Sequence, residues 1–176
     1  GNNLRNIMSD RTAKLLKLTA MDREGLGVFS AWAQDALTRM GEMTWRPKER
    51  RFVLTANRYM WETNAGRGDE GNNDGELHYR VRTGMHFNGV LGVQSQGLLR
   101  ENLNGLISLL AIEVEGEEND TGEGAGNLFL TLVFAAGGRI RLEVECIDCV
   151  LTDLGDPWTT RSKPDHGLDQ PVQDKQ

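Results

Sequence analysis

The chain has 176 residues, a formal net charge of −6, 38% hydrophobic residues and 26% charged residues. That length is enough for one domain with a sizeable core. The acidic balance argues against nucleic acid or an anionic membrane as a partner held by the overall field.

Residues 1–12 are polar and read as a flexible N-terminus. One domain is expected over 13–167, followed by a flexible tail at 168–176. No apolar run approaches the roughly 20 residues of a membrane helix. No charged start precedes an apolar block as in a signal peptide. Two cysteines form no disulfide framework, so a reducing cytoplasm is the expected location.

The segment from Leu15 to Met21 reads as a strand with Leu16, Leu18 and Ala20 on one face. Asp22 then suits a helix N-cap, with Glu24 in the first turn. The helix is expected to run to Ala36 or Leu37, with Val28, Phe29, Trp32 and Ala36 as its apolar stripe. Gly25 and Gly27 weaken it by roughly 1 kcal/mol each relative to Ala, so it needs tertiary support.

From Arg39 to Arg46, Met43 and Trp45 alternate with Glu42 and Thr44, as in a strand. Pro47-Lys48-Glu49 is a turn, and Arg51 to Trp61 returns with Phe52, Leu54 and Ala56 on one face, completing a β-hairpin. Residues 63–76 are rich in Gly and Asn without an apolar period, which predicts a long loop. Strand texture resumes from Leu77 to Val93, with a bulge or kink at Gly89. It appears again from Leu106 to Glu115. A second, acidic loop covers 116–126.

The densest signal lies between Asn127 and Gly155. Leu128 to Ala136 is almost wholly apolar, as in a strand buried on both faces. Gly137-Gly138 suits a two-residue turn. Ile140, Leu142, Val144 and Cys146 then alternate with Arg139, Arg141, Glu143 and Glu145. Beyond Cys146, Ile147, Val150, Leu151 and Leu154 fall at helical spacing, and Gly155 and Pro157 fit a helix stop. A bulged continuation of the strand is the alternative. The tail from Asp156 is expected on the surface, pinned by Trp158.

Chemistry-bearing constellations are sparse. Cys146-x-x-Cys149 has redox or half-zinc spacing, but neighbouring carboxylates would raise the thiol pKa and no second cysteine pair exists, so core packing is the reading adopted. His78, His86 and His166 lack metal spacing. No serine sits in a nucleophile elbow. The Gly-rich stretch at 66–71 lacks the Lys-Ser/Thr of a phosphate loop. No catalytic residue, metal or cofactor is assigned. The one patch singled out is cationic and aromatic: Arg46, Lys48, Arg50, Arg51, Arg58, Trp61, Arg80 and Arg82, on or beside outward strand positions. It suits an acidic partner, a phosphate or single-stranded RNA, while charge protection of an edge strand is the simpler explanation.

Several segments taken together resemble a known family: LKLTAMDREGL, DALTRMGEMTWRPKERRFVLTANRYMWE, LISLLAIEVE, LVFAAGGRIRLEVECIDCVLTDLG and PWTTRSKPDH. The resemblance is to an uncharacterised alphaproteobacterial family, one of the numbered domains of unknown function, over about residues 15–167. It implies a bacterial cytoplasmic protein of one compact domain and brings no catalytic residue with it.

The expected fold is α+β: a mostly antiparallel bent sheet of about seven strands, or a partly open barrel of pleckstrin-homology type, with one N-terminal helix and a short C-terminal one. The expected function is a non-catalytic binding or scaffolding module with a protein partner, a homodimer among the forms considered. The alternative is a small-ligand-binding protein or enzyme with a pocket between helix and sheet.

Overall fold

The computed structural model describes residues 15–64, 78–98, 103–117 and 128–160. In chain order these form β1 (Lys17–Ala20), α1 (Arg23–Ala33), β2 (Leu37–Thr38), β3 (Met43–Arg46), β4 (Arg51–Tyr59), the single-turn α2 (Trp61–Asn64), β5 (His78–Asn88), β6 (Val90–Gln96), β7 (Ile107–Gly116), β8 (Leu128–Phe134), β9 (Arg139–Val144), β10 (Cys149–Asp153) and β11 (Trp158–Thr160). The strands make one eleven-stranded sheet in the order β1-β10-β5-β4-β2-β7-β8-β9-β6, with β11 added to β5 and β3 to β4. Every pairing among the described residues is antiparallel.

This architecture corrects the expected fold class. The sheet path is open, ending at β1 and β6, and holds eleven strands rather than the seven or so of a pleckstrin-homology-type barrel. The C-terminal helix expected at 147–154 is absent: β10 lies there, hydrogen-bonded to β1 on one side and β5 on the other. Cys149, Leu151 and Asp153 all turn inward at a period of two, while Leu154, part of the supposed helical stripe, is 55% exposed. Two neighbouring ladders satisfy the backbone of this segment on both edges, which a helix would forgo. Tertiary pairing thus overrode a short apolar period that suits either structure.

The core is continuous across both halves of the sheet. Phe52 pairs with Phe87 and Leu54 with Met85 between β4 and β5. Leu130 pairs with Leu142 and Leu132 with Ile140 between β8 and β9. All belong to one buried cluster. The central hairpin forms as expected, with Ile140, Leu142 and Val144 buried. Its turn is longer than two residues. Ala135–Gly138 makes it, Ala136 and Gly137 take positive φ, and Phe134 N–H donates to the Gly138 carbonyl at 2.8 Å. Cys146 does not join the buried row. The chain leaves the β9 ladder after Val144, so Cys146 is exposed and Cys149 fills the interior instead.

Helix α1 starts where expected: Asp22 accepts a hydrogen bond from Gly25 N at 2.6 Å. It ends earlier, at Ala33, because Asp35 takes a φ of 64° and sends the chain into β2. Its inner stripe is Leu26, Phe29 and Ala33, at i, i+3, i+7; of the expected row Phe29 and Ala36 are buried, but Val28 is 50% exposed. Phe29 meets Phe87 edge-on at 6.0 Å between ring centroids, so buried apolar side chains fill the seam between helix and sheet. The expected hairpin of β3 and β4 forms around a turn at Pro47–Glu49, with Arg50 in the left-handed region. Residues 39–42 do not extend β3, because Met40–Glu42 is a 3-10 turn. Gly89, at φ +68°, bends the chain between β5 and β6 as foreseen.

The expectations for residues 1–12, for most of the 63–76 and 116–126 loops and for the tail beyond Thr160 fall outside the described residues.

Candidate functional site

The structure divides the eight residues of the expected surface patch. Arg58 and Arg80 do not face solvent; both are fully buried. Alternation along β4 puts Arg58 in the inward row after Phe52, Leu54 and Ala56. There it makes a two-pronged contact with Asp153, Nε to Oδ1 at 3.1 Å and an Nη to Oδ2 at 2.8 Å. It also donates to both oxygens of Glu62, at 3.0 and 2.7 Å. Burial by itself would lower the Arg58 pKa, but the hydrogen bonds and charges of Glu62 and Asp153 outweigh it and hold the pKa above its ordinary value. Asp153 further accepts from Thr83 Oγ1 at 2.7 Å and from Leu16 N at 2.8 Å. This cluster binds four segments of chain together. With Arg58 engaged by two carboxylates and wholly withdrawn from solvent, the cluster is a structural tie.

Arg80 lies on the opposite face of the same sheet. It donates to the carbonyls of Asp35 and Asn57 at 3.2 and 3.1 Å and lies 5.5 Å from the Tyr59 ring centroid. Tyr59 hydroxyl and His78 Nδ1 are 2.7 Å apart. Trp61 packs edge-on against Tyr59 and donates from Nε1 to the Gln34 carbonyl at 3.1 Å. Arg82 is half-buried against Glu42, 2.7 Å away, and Thr55. Arg80, Arg82 and Trp61 are therefore tied into the fold rather than displayed.

Arg46, Lys48, Arg50 and Arg51 remain together at the β3–β4 hairpin. Arg46 sits directly across from Arg51 in the ladder, so two like charges share one face. Such a pair is unfavourable unless something compensates it. Arg46 has an exposed Glu49 at 3.4 Å, a weak screen. Arg51 Nε donates to neutral Asn88 Oδ1 at 2.9 Å. Arg50, at the corner, is paired with Glu145. His86 joins the same face, since it pairs with Val53, two residues along β4 from Arg51. Its pKa lies below the ordinary histidine value because of partial burial and the charges of Arg51 and Arg46. The imidazole is therefore neutral at pH 7. Sequence reading passed over His86 because it has no metal spacing. The signal was its position in the alternating row His78, Arg80, Arg82, His86.

The two cysteines form no disulfide. Burial, then the Asp148 charge, pushes the Cys149 thiol up to about 12, which makes it a packing group rather than a nucleophile. Among the described residues no group of three or more His, Cys, Asp or Glu is placed to hold a metal ion, and no helix is long and apolar enough to cross a membrane.

Residues 16–166 match the model of a family described as a protein of unknown function (DUF2948). No curated protein and no solved structure matches the chain.

Proposed function

Because the chain belongs to the DUF2948 family, whose function is unknown, we propose from its geometry a non-catalytic binding module that takes an acidic protein partner on the β3–β4 hairpin face. One observation carries this reading: Arg46 and Arg51 stand opposite one another, with no buried carboxylate between them among the described residues. An incoming carboxylate would relieve that repulsion and accept charge-assisted hydrogen bonds from both guanidinium groups. Lys48 widens the positive field at the tip, and neutral His86 adds a hydrogen-bonding edge. The net charge of −6 disfavours nucleic acid as the occupant.

We place the module in the cytoplasm of a bacterium, in keeping with two cysteines outside any disulfide. An acidic segment of a second copy of the chain is one form the partner takes.

Fluorescence anisotropy with a Glu-rich peptide tests the proposal. Binding is expected to weaken with salt and to fall at least about tenfold in Arg46→Glu/Arg51→Glu. Equal binding by that variant, or binding insensitive to salt, would remove the hairpin face as the site.

A further inference from the structure

A different face of the sheet carries a second site. On the outer side of β6, β9 and β8 lies a depression of about 630 Å³, within the range of small-molecule pockets. Its floor is built by cross-strand register. Gln94 and Thr131 flank Arg141, while Gln96 and Val133 flank Arg139. Arg139 and Arg141 are two residues apart on one strand, so they point the same way, and both are exposed.

Arg141 is oriented. Its guanidinium carbon lies 3.8 Å from the Phe129 ring centroid, and it reaches Glu115 at 3.6 Å. That ion pair is half in solvent on both sides and therefore weak. Arg139 makes no ion pair with another described residue. On the far side of Arg141 a smaller hollow of about 160 Å³ adjoins Glu143, so positive charge is concentrated at the Arg139 end. Two guanidinium forks, two primary amides and a threonine hydroxyl thus converge on one space, with Glu115 the carboxylate lining it.

We propose that this depression is a binding site for a small organic anion, its carboxylate or phosphate group held between Arg139 and Arg141 and hydrogen-bonded by Gln94, Gln96 and Thr131. The stacked Arg141 loses little conformational freedom on binding. The ligand's anion replaces Glu115 as its partner. The remaining volume accepts an organic body beside Val93. This site is separate from the hairpin face and does not depend on the function proposed for it.

The test is a two-dimensional NMR titration of the full chain with inorganic phosphate and, separately, with succinate. Saturable shifts are expected at Gln94, Thr131 and Arg141. The probe that binds more tightly identifies phosphate or carboxylate as the preferred group. Arg139→Gln should weaken binding about tenfold or more. Glu115→Gln should strengthen it severalfold, because the competing carboxylate is gone. Arg141→Lys keeps the charge but loses the fork and the stacking, and should fall between wild type and Arg139→Gln. Thermal melts will confirm that each variant is folded. Shifts confined to the surroundings of Arg51 and Asn88, an absence of saturation with either probe, or a Glu115→Gln variant that binds no better would each overturn the proposal.

Discussion

Arg58 and Asp153, ninety-five residues apart in sequence, meet through two parallel hydrogen bonds with both side chains wholly withdrawn from solvent. Their contact sits at the end of the inward row on β4 and β10, where the apolar core gives way to polar ties. Removing one partner strands the other in a low-dielectric interior. Asp153→Ala should therefore cost about 3–5 kcal/mol, since Thr83 and Leu16 N also lose their acceptor. Urea unfolding will measure it. A loss below about 1 kcal/mol, the size of an exposed pair, would mean that Glu62 alone satisfies Arg58.

Helix α1 makes a sharper test of which face is buried. Phe29 is 1% exposed and Val28 is 50% exposed. Phe29→Ala should cost about 3–5 kcal/mol, whereas Val28→Ala should stay within about 0.5 kcal/mol. Comparable losses at both positions would restore the stripe that the sequence suggests.

The two helix glycines should respond differently. A Cβ on Gly27 meets nothing within 4 Å, while one on Gly25 comes 3.0 Å from Asp22 Oδ1, the capping atom. Gly27→Ala is expected to stabilise by about 0.5–1 kcal/mol through helix propensity. Gly25→Ala should gain less or lose, because the cap must shift. Equal gains, read from denaturation midpoints, would show that the Asp22 cap contributes little.

Protonation of His86 reports on the hairpin face. Its pKa is lowered in the fold by partial burial and by Arg51 and Arg46. The unfolded chain therefore binds the proton more readily, so this histidine's contribution to stability is complete above its unfolded pKa of about 6.5 and is lost as pH falls through the folded value. An NMR titration should show a midpoint below 6.5, and Arg51→Gln should move it upward. An acidic peptide bound at the hairpin should also raise it, by supplying compensating negative charge. A midpoint unmoved by Arg51→Gln would show that the arginine charge does not reach the imidazole.

A fourth class of substitution probes where two turns meet. Gly97 has a φ of +70°, and a Cβ there would come 2.7 Å from the Gly137 carbonyl oxygen. Gly97→Ala should destabilise by at least about 1–3 kcal/mol, from the backbone conformation alone, with the backbone clash added. Gly137→Ala meets no atom within 4 Å and should show only the conformational part. The difference between the two unfolding free energies measures the contact.

The parts legible from the residues alone are those whose partners lie close in the chain. Alternation identified the buried row of Ile140, Leu142 and Val144, and a local side-chain acceptor marked the helix start at Asp22. The β3–β4 hairpin could be read the same way, because a turn and two alternating runs are local events. Long-range pairing and burial set the rest. The segment at 147–154 has an apolar spacing that fits a helix, and only the flanking ladders of β1 and β5 made it a strand. Arg58 and Arg80 look like surface charges, because a strand's period reveals which residues share a face but not which face is covered. Arg58 is buried because Asp153 is delivered to it from ninety-five residues away, to join Glu62 four residues along the chain. Arg46, Arg51 and His86 become a common face only through cross-strand register, the quantity that a single chain of letters does not carry.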